Sequence, residues 1–445
     1  MAAQQFSYLS STLRQLAEDA LRHAREKGAT AAEADVSEGF GQSVTVRHGE
    51  VETIEYNRDK GLSVSVYLGQ RRGYASTSDF SPRAIRETVE AALAIARFTA
   101  EDPCAGLAEE ELLARETPDL ALYRPWDLPV EEAIELARRS EAAALRADRR
   151  ISNSEGASVA THEAQFVAAN SLGFAGGYPT SRHDISCSVI AGKGGAMQRD
   201  YWFSSHRDTA SLLSPEAVGE KAARRAAARL GAKKIRTGTF PVLLEAPLAA
   251  GFLGHFVQAA SGSALYRKAS FLVDRLGERI FPAFFDLRER PHLPGALASS
   301  PFDNDGVRTR DREVVQEGVL QGYFLSVYSG RKLGLPTTAN AGGSHNLILA
   351  PGESDFPALL REMGRGLLVT ELLGHGVNYV TGDYSRGAAG FWVEDGEITH
   401  PVEEVTIAGR LPEMFRNIRA IGNDVEIRGS RQTGSLLLDG MTVAA

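Results

Sequence analysis

Apolar positions at helical spacing open the chain. Leu13, Leu16, Ala20 and Leu21 form one stripe, so the sequence predicts a helix that starts at a Ser10 or Ser11 cap and stops at Gly28. The period then changes to two. Ser43 to Arg47 and Leu62 to Tyr67 alternate apolar and polar residues, which predicts half-buried strands in hairpins. Ser81-Pro82 begins a second helix that runs to about Thr99, with serine as cap and proline in the first turn. A helix from about Val130 to Ala147 follows, and after it the order recurs with weak echoes of the first pass. Ser154-Glu155-Gly156 answers Ser37-Glu38-Gly39, Arg199-Asp200-Tyr201 answers Arg72-Gly73-Tyr74, and Ser214-Pro215 answers Ser81-Pro82. Three matches in one order point to a duplicated helix-and-strand unit, joined through an irregular stretch from Asp102-Pro103 to Pro129.

Beyond Thr237 the pattern changes to short extended runs punctuated by glycine, starting with a strand from Phe240 to Leu244. Val314 to Leu320 and Phe391 to Ile398 each set an acidic residue and a glycine between apolar runs, a hairpin signal. The expected fold class is α+β, with duplicated helix/strand units in the N-terminal half and a β-rich C-terminal domain. The expected domains are 1–115, 116–235 and 236–445.

Composition narrows the function. The 445 residues are 43% hydrophobic and 24% charged, the profile of a globular protein. A formal net charge of -8 argues against a surface that neutralises phosphates, so nucleic acid is not an expected ligand. Cys104 and Cys187 are too few for a disulfide framework or a thiolate zinc site. The first 27 residues lack the basic start and apolar block of a signal peptide, and no apolar run approaches the roughly 20 residues of a membrane span. A cytoplasmic protein without membrane contact is expected.

Candidate chemistry is sparse. The segment 254–259, Gly-His-Phe-Val-Gln-Ala, reads as a short helix where a hydrolase would place metal ligands, yet it offers one imidazole and no carboxylate. A zinc hydrolase needs about three protein ligands and a base. The loop from Asp383 to Gly390 (DYSRGAAG) could hold a peptide or a carboxylate with backbone N–H groups and Arg386, or could be a tight turn in which Asp383 pairs with Arg386. A second loop, Asn340 to Leu347, carries His345, either a proton carrier or a histidine bonded to the backbone of its own turn. His375 and His400 have no metal-ligand spacing, and no Gly-x-Ser-x-Gly elbow or phosphate-binding glycine loop occurs.

Four stretches carry a resemblance: 263–272 (SALYRKASFL), 341–347 (AGGSHNL), 376–391 (GVNYVTGDYSRGAAGF) and 420–424 (AIGND). Together they resemble the TldD/PmbA family, within it the PmbA (TldE) branch, over nearly the whole chain. The resemblance implies an N-terminal α+β region, a central region and a β-rich C-terminal domain. In the TldD branch a His-Glu-x-x-x-His helix and a distant cysteine hold zinc, with the glutamate as base. Laid on this chain, Gly254 and Ala259 stand for the two histidines and His255 for the glutamate, and no cysteine follows Cys187. The resemblance therefore implies no catalytic residue, metal or cofactor on this chain, with zinc in a TldD-like partner and unfolded or extended peptides as substrates. Under that reading His255, Ser263, Arg267, Asn340, His345, Asp383, Ser385 and Arg386 face the peptide chamber or the partner. The family name "modulator of DNA gyrase" finds no support in the charge. Two alternatives stay open: an independent hydrolase built on His345, His375 and Asp383, and a homodimeric peptide-binding regulatory protein.

Overall fold

A computed structural model describes residues 6–445. The first unit runs α1 (Ser10–Glu26), β1 (Ala31–Arg47), β2 (Glu50–Leu68), β3 (Arg71–Thr77) and α2 (Pro82–Phe98). The second repeats that order as α3 (Val130–Ala147), β4 (Ile151–Asn170), β5 (Ala175–Ala191), β6 (Gln198–His206) and α4 (Pro215–Ala228). Their strands form one antiparallel sheet in the order β3-β2-β1-β4-β5-β6, so the two units meet at β1 and β4. Even-numbered residues of β1 explain how the helices are shared. Ala32, Ala34 and Val36 enter the core under α1 and α2, while Val44 and Val46 enter the core of α3 and α4. Because strand side chains alternate, these residues share a face, and both helix pairs cover that same face.

Several echoes hold and others do not. Ser81 and Ser214 both cap as expected, accepting hydrogen bonds from the backbone N–H groups of Ala84 and Ala217. Arg72 and Arg199 are each the second residue of a strand. The Ser-Glu-Gly pair does not correspond, since 37–39 lie in the seventh to ninth positions of β1 and 154–156 in the fourth to sixth of β4. Nor does a serine cap α1, whose N-cap is Leu9 with no side-chain bond. The strands expected at 43–47 and 62–67 belong to strands of 17 and 19 residues. His48 and Gly49, with φ of 53° and 77°, make the two-residue turn between them. Glu141 of α3 accepts the N–H groups of both turn residues, at 2.8 and 2.7 Å.

The remaining residues build two sheets and one large core. β7 (Gly238–Leu244) leads into α5 (Ala246–Ala259) and α6 (Gly262–Tyr266). Short strands β8 (Leu287–Glu289), β9 (Arg312–Gln316) and β10 (Val319–Leu320) precede α7 (Val327–Leu333), β11 (Leu347–Leu349) and α8 (Phe356–Met363). The chain ends with β12 (Gly366–Leu373), β13 (Asp383–Glu394), β14 (Glu397–Arg410), α9 (Leu411–Arg416), β15 (Ile418–Ile421), β16 (Arg431–Gln432) and β17 (Leu436–Ala444). One sheet runs β14-β13-β12-β7-β17-β15, the other β10-β9-β8-β11-β16. Both acidic-glycine hairpins form, with Glu317-Gly318 and Asp395-Gly396 at positive φ.

α5 lies in this core because Ala249, Phe252, Leu253, Phe256 and Ala259 repeat at helical spacing and are all buried. Its N-terminus is fixed to the second unit: Arg225 of α4 donates two hydrogen bonds of 2.9 Å to Glu245, and Arg229 pairs with Glu371. No helix of the described residues is long and apolar enough to cross a membrane.

Candidate functional site

The unburied face of α5 carries His255, and β13, β16 and the turn before β13 supply its neighbours. His255 Nδ1 shares a 2.9 Å hydrogen bond with the Tyr379 hydroxyl. Its ring also meets the Tyr384 ring edge to face, with centroids 5.6 Å apart. Tyr384 and Arg386 are two residues apart on β13, which places both on one face of the strand. Arg386 Nη2 donates to the Leu372 carbonyl at 3.4 Å, while its Nε is buried with no partner. From the other side Arg431 of β16 covers Gly254. A methyl group on that glycine would lie 2.4 Å from Arg431 Nη1, so the guanidinium occupies the space of a side chain. Arg431 Nη1 donates to the Ala250 carbonyl at 3.2 Å, and its Nε too is buried and unpartnered.

This surrounding fixes the charge of His255. Burial, and then the nearby Arg386 and Arg431 cations, hold its pKa down at about 4, so the imidazole is neutral at pH 7. A folded-state value below the ordinary 6.5 makes the unfolded chain bind the proton first, so this contribution to stability is present above pH 6.5 and is lost as the pH falls toward 4. The shift corresponds to at most roughly 3 kcal/mol. His255→Gln removes the titration. Between pH 7 and pH 4 the wild-type chain is expected to lose about 1–3 kcal/mol more stability than the variant, measured by urea unfolding at each pH. Equal losses refute the assignment.

An open cleft of about 560 Å³ adjoins this group, lined by Gln258, Ser263, Arg267, Asn378, Tyr379 and Val380 among others. Tyr379 belongs to both. Ser263 and Arg267 are exposed in the cleft, and Arg267 Nε donates to the Tyr266 hydroxyl.

The structure thus brings His255 and Arg386 together and sets Ser263 and Arg267 beside them. Other expected residues go elsewhere. The stretch at 383–390 is strand and not loop, and its glycines explain the misreading. A Cβ at Gly390 would fall 1.9 Å from the Leu368 carbonyl oxygen, so strand-forming side chains are absent where neighbouring backbone comes close. Asp383 and Arg386 point to opposite faces and do not pair. Asp383 accepts a 2.6 Å hydrogen bond from Thr381, and Asp383 and Ser385 are exposed.

Asn340 and His345 are buried in a separate cluster and so line no open surface. Asn340 Nδ2 and the His345 backbone N–H both donate to Glu289, at 2.9 and 2.7 Å. His345 Nε2 donates to the Ala339 carbonyl, so this histidine bonds the backbone of its own loop. Arg431 was missed altogether, since a lone arginine in a two-residue strand carries no periodic signal.

Three family profiles match the chain: PmbA/TldA metallopeptidase domain 1 over residues 32–96, the central domain over 123–230, and the C-terminal domain over 237–445. A protein of Haemophilus influenzae named metalloprotease PmbA homolog is 49% identical over 97% of this chain and 96% of its own. A second protein of that organism, named metalloprotease TldD homolog, is 23% identical over 87% of this chain and 84% of its own. A crystal structure from Bacteroides thetaiotaomicron, described as a candidate modulator of DNA gyrase, superimposes with a TM-score of 0.93 at 29% identity, over 98% of this chain and all of that one.

Proposed function

Because the chain belongs to the PmbA/TldD metallopeptidase family, we propose that it is the non-catalytic, TldE/PmbA-like subunit of a cytoplasmic, heterodimeric zinc metalloprotease that degrades unfolded or extended peptides. The observation that carries this reading is the donor set around α5. His255 is the only ligand type there, its neighbours are Arg386 and Arg431, and the Arg431 guanidinium fills the space over Gly254. Among the described residues no three His, Cys, Asp or Glu side chains converge as a metal site. Such a set does not fit zinc, because cations beside one neutral imidazole repel a divalent ion rather than hold it.

The partner assignment draws on the pair of relatives in one organism. This chain is about twice as similar to the PmbA-named protein as to the TldD-named one, which supports two distinct roles within the family. The open cleft beside Tyr379, lined by polar side chains such as Gln258, Ser263 and Asn378, suits an extended peptide.

Reconstitution tests the proposal. The purified chain, a purified TldD-like chain bearing His-Glu-x-x-x-His, and their equimolar mixture are assayed on an unfolded polypeptide. The mixture is expected to cleave it, to lose activity on chelation, and to elute as one heterodimer by light scattering. This chain alone is expected to be inactive. Proteolysis by the isolated, metal-free chain, or a stable homodimer that never captures the TldD-like chain, refutes it.

A further inference from the structure

Arg386 and Arg431 are cations without counter-ions. Neither forms an ion pair with any carboxylate among the described residues, whereas Arg225, Arg229 and Arg312 are paired; Arg207 and Arg428 also lack a carboxylate partner, but only Arg386 and Arg431 act on one shared imidazole. Each has a buried Nε with no hydrogen-bond partner and spends one terminal nitrogen on a backbone carbonyl. A guanidinium has five N–H donors, so both retain unused donors. Both act on His255, whose Nδ1 is occupied by Tyr379. Enclosing two uncompensated charges is unfavourable unless an anion completes the site.

We infer that Arg386 and Arg431, flanking His255 on α5, form a carboxylate-binding site that anchors a peptide entering the cleft beside Tyr379. Planar guanidinium groups match a carboxylate with paired N–H···O bonds, and the neutral imidazole beside them adds no third charge to satisfy. The carboxylate is the terminal one of a peptide or the side chain of an Asp or Glu. The peptide as carrier rests on the function proposed above, but the site is a property of this chain and needs no partner.

Fluorescence anisotropy on the purified full-length chain tests it with three dye-labelled probes. These are a penta-alanine with a free C-terminus, the same peptide amidated, and the amidated peptide with one internal aspartate. At least one carboxylate probe is expected to bind about 10-fold or more tightly than the neutral amide, the scale of a charge-assisted pair. Preference for the free C-terminus alone identifies a terminal anchor, and equal preference for the aspartate probe a side-chain anchor. Arg386→Met and Arg431→Met are each expected to abolish the difference, whereas Arg431→Lys keeps part of it. Binding of the amide as tight as that of both carboxylate probes, no measurable binding of any probe, or a preference that survives in a folded Arg431→Met chain overturns the inference. If the methionine variants do not fold, Arg386→Lys and Arg431→Lys decide: a carboxylate preference unchanged in both overturns the inference. Failure here with successful reconstitution removes the anchor and leaves the subunit assignment; the opposite result removes the assignment and leaves the anchor.

Discussion

Glu289→Leu is expected to cost about 3–5 kcal/mol, because it strands a buried cation. Glu289 is 1% exposed and its carboxylate collects three interactions. Arg312 Nε pairs with its Oε2 at 2.6 Å, and Oε1 accepts from Asn340 Nδ2 and from the His345 backbone N–H. Its position on β8 also ties the sheet to β11 by pairing with Leu347. Arg312 in turn bonds the Tyr323 carbonyl and Asn340 Oδ1, and lies over the Phe324 ring. Leucine fills the volume but leaves that arginine enclosed with no anion, and two N–H donors lose their acceptor. Glu289→Gln retains an acceptor for them and is expected to cost less than the leucine variant. Guanidinium unfolding monitored by tryptophan fluorescence gives both values. A loss under 1 kcal/mol for the leucine variant would show that the cluster contributes little.

That cluster explains why one glycine-polar loop resembled a binding loop in sequence. Asn340, Gly342, Gly343 and His345 are polar and flexible in composition, and nothing local reveals that a glutamate some fifty positions earlier collects them. Long-range acceptors are invisible to spacing. The α+β class and the repeated unit were legible because they rest on local signals, namely the alternating runs, the Ser-Pro helix starts and the acidic-glycine hairpins. Strand length was less legible. β1 continues through Ser37-Glu38-Gly39, where a buried glutamate interrupts the alternation because it accepts the N–H groups of Ser7 and Tyr8 and the amide of Gln165.

At α5 the sequence showed what was missing, while the structure supplied what stands in its place. Gly254 and His255 are plain in sequence, but Arg431 comes from β16, more than 170 residues later, and Arg386 from a strand that looked like a loop. Two cations around a neutral imidazole turn an absence of metal ligands into a positive electrostatic environment.

Phe256→Ala tests whether α5 remains a scaffold element. Phe256 is 0% exposed and meets Phe281, Phe324 and Phe415 edge to face, at centroid distances of 5.5, 6.1 and 6.3 Å. Truncation leaves a cavity among rings that are themselves held by stacking and cannot collapse freely, with Phe281 and Phe285 parallel at 3.9 Å. The expected loss is about 3–5 kcal/mol. Because the N-terminal sheet has its own two cores, which do not include Phe256, the loss should appear in one part of the molecule. Scanning calorimetry is expected to resolve a C-terminal transition shifted to lower temperature, with the transition of residues 10–228 unmoved. The same substitution loosens the helix that presents His255 to Tyr379, so the pH dependence attributed to His255 should weaken with it. A uniform shift of a single transition would instead mean that the ion pairs from Arg225 and Arg229 bind the two parts into one cooperative unit.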